Sequence, residues 1–161
     1  MKTVGTENAP LGRRTADGWW ELRLRVRFSE VDSYGVVWHG RYLAWFEEAR
    51  NDLARGYGFT PSVLARSGYQ LPVRDVILTF KSPAGLDDEV LVGIRFRPSE
   101  TAVIEFEYRV LEAEEGRLMV TGRTRQVVTR ADHELLLTYP RPIREALERL
   151  GRDQSQPGES E

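Results

Sequence analysis

Asp32 and His39 stand at the two ends of the octet Asp32-Ser33-Tyr34-Gly35-Val36-Val37-Trp38-His39. A carboxylate can draw a proton from water or attack a carbonyl carbon itself, and at neutral pH an aspartate is ionised, as either role requires. A histidine at the start of a helix offers its imidazole, or the backbone N–H that the first helical turn leaves unpaired. An acid aimed at a helix N-terminus suits addition to a carbonyl, because the free N–H groups and the helix dipole hold the developing oxyanion. Taken alone, an Asp in a turn is as readily a turn-former, and a His before a helix a cap or an exposed group.

The elements on either side must position such a pair. Trp20, Leu22, Leu24, Val26 and Phe28 alternate with Glu21, Arg23, Arg25 and Arg27, which predicts a half-buried strand leading into the octet. Gly35 supplies backbone freedom where the chain reverses. After the octet, Tyr42, Trp45, Phe46, Ala49 and Leu53 share one face of a helix predicted from about Gly40 to Arg55. Arg41, Glu48, Asp52 and Arg55 share the other, and Gly56 and Gly58 end it. Thr60-Pro61 opens a short second helix that Gly68 closes.

Period-two segments follow: 76–80, 90–96, 102–110 and 118–129, with a short strand near 135–137. Polar turns separate them, and a terminal helix starts at Pro142 with Ile143, Ala146, Leu147 and Leu150 inward. Short connections imply antiparallel pairing. A single long helix with an aromatic face must bury that face on the sheet. The expected architecture is α+β, a curved antiparallel sheet wrapped around one long central helix. One domain is expected over residues 18–150, with flexible tails at 1–17 and 151–161.

Composition narrows the function classes. A length of 161 residues, 40% hydrophobic and 30% charged, suits one soluble domain. A net charge of −2 leaves no electrostatic footprint for nucleic acid, so no nucleic-acid partner is expected. Of 23 basic side chains all but Lys2 and Lys81 are arginine, which a GC-rich codon bias explains without invoking function. The absence of cysteine removes disulfides, thiolate metal sites and Cys nucleophiles. No apolar run approaches the ~20 residues of a membrane span, and no apolar segment marks a signal peptide, so a cytoplasmic protein without an integral membrane segment is expected.

Two histidines without paired spacing make a metal site an unsuitable reading, and no Gly-rich phosphate loop indicates a nucleotide cofactor. Ser29 or Ser33 with His39 and Asp32 contains triad residue types but lacks the Gly-x-Ser-x-Gly elbow. His133 stands in a polar turn.

Asp32-x-x-Gly35-x-Val37-x-His39, followed by Tyr42-Leu43 and Phe46-Glu47-x-Ala49-Arg50, resembles the hotdog-fold thioesterases. The branch it is most similar to is that of the 4-hydroxybenzoyl-CoA and Tol-Pal-associated acyl-CoA thioesterases. Arg25-Val26-Arg27-Phe28 and Pro83-Ala84-x-Leu86-Asp87-Asp88 carry the likeness further, and it spans roughly residues 22–150. The resemblance implies the helix-in-sheet fold already inferred. It also implies a homodimer, often paired into a tetramer, with active sites at the subunit interface and no cofactor beyond the coenzyme A of the substrate. Asp32 matches the family's catalytic carboxylate. His39 matches the position whose backbone N–H polarises the thioester carbonyl, and Gly35 the turn glycine that lets the two approach.

Tyr34 stands where a small residue is common, and with Trp38 and Tyr42 it suggests an aromatic-lined substrate pocket, although these rings also suit a core. The hairpin Pro98-Ser99-Glu100-Thr101 lacks the basic residues with which some members hold CoA phosphates; Arg95 and Arg97 lie just before it. Glu47 and Glu48 match acids of other hotdog branches, and here a solvated or interface role is expected. Hydrolysis of an acyl-CoA thioester is the expected function. An acyl-carrier-protein thioester, or non-catalytic binding of an acyl thioester, are the alternatives, and Asp32 as general base or as nucleophile remain open.

Overall fold

Alternating side chains make the sheet, and one aromatic helix face closes it. The computed structural model describes residues 9–156. Strands β1 (Arg13–Arg14) and β2 (Trp20–Arg25) precede helix α1 (Arg41–Tyr57) and the short helix α2 (Pro61–Arg66). Then come β3 (Tyr69–Gln70), β4 (Val73–Phe80), β5 (Glu89–Arg97), β6 (Val103–Glu112), β7 (Leu118–Arg130) and β8 (Leu135–Leu136), and last α3 (Arg141–Ser155). All pairings are antiparallel. The order runs β1-β2-β5-β6-β7, with β3, β4 and β8 all on β7.

The predicted face of α1 is buried as a unit: Tyr42, Trp45, Phe46, Ala49 and Leu53 are each at most 2% exposed. Burying a ring such as Phe46 stabilises by about 2–3 kcal/mol. Phe46 stacks on Tyr108 of β6 with centroids 4.3 Å apart. Gly122, the cross-strand neighbour of Tyr108, makes room for it, since a Cβ there would collide with the Phe46 ring. Ile143, Ala146, Leu147 and Leu150 of α3 are buried as their spacing predicts. No described helix is long and apolar enough to cross a membrane.

Four expectations change. Phe28 leaves the strand: β2 ends at Arg25, and Phe28 opens a single 3-10 turn (Phe28–Glu30) with its ring 81% exposed. Asp52, expected on the polar face of α1, is 1% exposed. Its carboxylate accepts hydrogen bonds from the backbone N–H of Leu11 and Gly12, both at 2.8 Å, and from the Trp20 indole at 2.9 Å. That clamp, with the pairing of Arg13–Arg14 on Glu21 and Trp20, orders part of the segment expected as a tail to residue 17. At the other end α3 continues through Ser155, where the Gln154 side-chain amide bonds both the N–H and the carbonyl of Phe96 like an added rung of sheet. The outermost parts of both expected tails, 1–8 and 157–161, lie outside the described residues.

Removing the Asp52 carboxylate strands two backbone donors and an indole donor in a buried place. Asp52→Ala is expected to cost about 3 kcal/mol. Thermal unfolding followed by circular dichroism should show a Tm lower by roughly 10 °C for a domain of this size.

β4 pairs on one side only. Its other edge meets no strand among the described residues, and Val73, Val76, Ile77 and Phe80 are between 42% and 51% exposed.

Candidate active site

The octet forms a small hairpin. The Asp32 N–H donates to the Val36 carbonyl at 2.8 Å, the Gly35 N–H to the Asp32 carbonyl at 3.0 Å, and Val31 bridges Val37. Gly35 has φ of +76° with nothing near its missing Cβ, so the turn needs glycine for its backbone conformation and not for space. The hairpin is stapled to the turn before β5: Val36 bridges Gly85, and the Val37 N–H donates to the Ala84 carbonyl at 2.8 Å.

Within the hairpin the Tyr34 N–H donates to Asp32 Oδ1 at 2.8 Å, a short Asx turn that fixes the carboxylate. Among the described residues no hydrogen bond takes Oδ2. Asp32 is half-buried, reachable by a substrate yet held by its own turn.

The helix starts later than predicted, at Arg41 with Gly40 as its cap, so His39 precedes the cap. Gly40 has no side chain to satisfy the first turn, and that turn carries no acid. The Arg41 N–H bonds the Trp38 carbonyl at 2.9 Å; among the described residues no hydrogen bond takes the N–H of His39 or Gly40. A carboxylate and uncapped amides at a helix start are the parts of an acid and oxyanion-donor site. The His39 imidazole is exposed and packs against the Trp38 ring at 5.0 Å.

The three aromatics do not line one pocket within this chain. The Tyr34 side chain is 87% exposed, and Trp38 is about half-exposed and lies over Gly40. Tyr42 is buried between Trp45 and Phe80, edge-on to both. Burial pushes its hydroxyl pKa up, against the lowering hydrogen bond with the Ala84 backbone, and the Asp88 charge raises it further. Arg95 and Arg97 both pair with Glu107, and Arg95 also stacks on Trp19, so neither projects freely toward the hairpin that follows. No group of three or more metal-ligating side chains is gathered among the described residues.

Sequence reasoning missed two arrangements. A cavity of about 350 Å³ opens beside α1, α2 and β3, with Arg50, Phe59, Tyr69 and Gln126 in its wall. There Arg50 donates to the Tyr108 hydroxyl at 3.3 Å, which lies 3.2 Å from Thr124 Oγ1, and burial raises the Tyr108 pKa despite the nearby Arg50 charge. The other is Glu30, a buried carboxylate beneath the octet. The Arg50–Tyr108–Thr124 contact joins distant segments and carries no local signal, whereas Glu30 bonds only within residues 27–45 and its burial emerges once that loop folds back on α1.

A sequence model of the thioesterase-like superfamily matches residues 26–147. A putative esterase of Synechocystis, sll0410, is 29% identical over 133 residues, covering 82% of this chain and 80% of that protein. The acyl-CoA thioesterase YbgC of Haemophilus influenzae is 30% identical over 112 residues, 69% of this chain and 80% of its own. Among solved structures, the Thermus thermophilus protein TT1821 superposes with a TM-score of 0.73 at 32% identity, covering 81% of this chain and 98% of that one.

Proposed function

The chain belongs to the thioesterase-like superfamily and is a hydrolase of thioester bonds, and from that premise we propose that it cleaves acyl-CoA thioesters with Asp32 as the reacting carboxylate. The pattern Asp32-x-x-Gly35-x-Val37-x-His39 supports a site of the 4-hydroxybenzoyl-CoA and Tol-Pal-associated type. The observation that carries the reading is the free Oδ2 of Asp32 in a hairpin that leads directly into an uncapped helix start.

In this reading Asp32 either deprotonates the attacking water or attacks the thioester carbonyl to give a mixed anhydride that water then opens. The N–H groups of His39 and Gly40 hold the oxyanion formed by that attack; as it collapses back to a carbonyl the C–S bond breaks, and coenzyme A leaves as thiolate that takes a proton from protonated Asp32 or from solvent. The N–H matters and the imidazole does not. His39→Ala is therefore expected to hold kcat within about threefold, while His39→Pro, which deletes the donor, lowers it by about a hundredfold. Equal losses in the two variants would transfer the role to the imidazole.

A second copy of the chain completes the site in this proposal, seated on the open edge of β4. An apolar, half-exposed edge strand is otherwise an aggregation hazard that proteins cover or charge. Pairs of such dimers give the expected tetramer.

The deciding experiment offers a panel of aromatic and aliphatic acyl-CoA thioesters and reads free thiol. Matched carrier-protein thioesters, run beside them, separate a carrier-protein thioesterase by its higher kcat/KM. Ligand-induced stabilisation without thiol release on any substrate would replace hydrolysis with binding.

A further inference from the structure

We propose that Glu30 is a positioning residue of the site, holding the segment of the reacting acid and the segment of the oxyanion donors in one register. The proposal rests on the hydrolase reading of the octet. Glu30 is 7% exposed. Its Oε2 accepts from the Arg27 N–H at 2.8 Å, and its Oε1 accepts from the buried Trp45 indole N–H at 3.0 Å. Its backbone carbonyl accepts from the Trp38 N–H at 2.9 Å. Arg41 Nε, buried and without a hydrogen bond of its own, lies 4.0 Å from Oε1.

These contacts reach both ends of the hairpin. Asp32 follows Glu30 by two residues, and Trp38, held by the Glu30 carbonyl, directly precedes His39. The side chain then anchors that closed loop to α1 through Trp45 and Arg41. The carboxylate therefore sets the hairpin against the helix start, the geometry on which attack and oxyanion capture jointly depend. A misplacement of about 1 Å in such a constellation costs about a hundredfold in rate. A buried carboxylate needs a strong return from its partners to be retained, and here every partner belongs to the loop or the helix that bears the site.

The test compares Glu30→Gln and Trp45→Phe with Asp52→Ala in the full-length protein. Glutamine keeps the size of Glu30 but presents one donor where two donors must be accepted, and phenylalanine removes only the indole N–H and part of the ring. Asp52 clamps α1 far from the hairpin, so its loss should lower Tm and leave kcat near wild type. Glu30→Gln and Trp45→Phe are expected to lower kcat on the best acyl-CoA substrate by about tenfold or more, with KM within about threefold. Their double variant should lose less than the product of the two single losses, because both break one contact.

Wild-type kcat in folded Trp45→Phe and Glu30→Gln overturns the proposal. So does a kcat loss in Asp52→Ala that matches theirs at equal loss of Tm. If Glu30→Gln fails to fold, Trp45→Phe alone decides. If the wild type releases no thiol from any substrate, the hydrolase reading fails separately, and amide hydrogen exchange decides the positioning role. Faster exchange at residues 34–39 in Trp45→Phe but not in Asp52→Ala supports it; unchanged exchange overturns it.

Discussion

Asp32→Asn is expected to lower kcat on acyl-CoA substrates by about a thousandfold while the protein keeps its fold and its affinity for substrate. Asparagine retains an oxygen where Oδ1 accepts the Tyr34 N–H, so the Asx turn and the hairpin around Gly35 persist. What disappears is a group able to take a proton or to form an anhydride. The measurement is thiol release together with the Tm of both proteins. Wild-type turnover in the variant would remove Asp32 from the chemistry. A single turnover of the wild type in heavy-oxygen water then separates its two roles, because only the anhydride route can leave label in the Asp32 carboxylate.

Val76→Glu is expected to abolish the proposed dimer and most of the activity together. Val76 is 43% exposed on β4, an eight-residue strand whose outer edge meets no strand among the described residues, and it shares a face with Leu78 and Phe80, which packs on Tyr42 at the start of α1. Two copies of β4 brought together would set the added carboxylates in the same apolar seam, and like charges in such a contact are destabilising. The expected mass by light scattering falls from a multiple of the chain to near 18.5 kDa. The expected loss of kcat/KM is at least about tenfold, because in the proposal the second copy completes the site. A variant that stays dimeric would place the interface elsewhere. A fully active monomer would make each chain sufficient by itself.

The main elements were legible because they are local. Period-two alternation marked β4 to β7 and most of β2, and the spacing of Tyr42, Trp45, Phe46, Ala49 and Leu53 marked the buried face of α1. Gly35 was legible as a turn glycine and has the positive φ that explains it. The failures share a cause. Phe28 continued the alternation on paper, but the chain had already turned toward the site. Asp52 looked solvated because helical spacing is blind to a segment some forty positions earlier that lays its backbone donors there. For Tyr34, Trp38 and Tyr42 the spacing carried no depth: within one chain Tyr34 is exposed, Trp38 half-exposed and Tyr42 buried.

By itself, then, the sequence determined the main elements, their order, the apolar inward faces and the turn that presents Asp32. Each depends on residues within a few positions of one another, where periodicity and turn chemistry act. Only the tertiary structure decided that Asp52 and Glu30 are buried clamps, that the helix begins after His39, and that β4 is left with an open edge. The Asp52 clamp and the β4 edge depend on segments distant in the chain, and the Glu30 clamp and the helix start on how the loop before α1 folds back onto it. The energy of a buried carboxylate or an unpaired strand edge is set by what the fold brings beside it, and no local pattern carries that information.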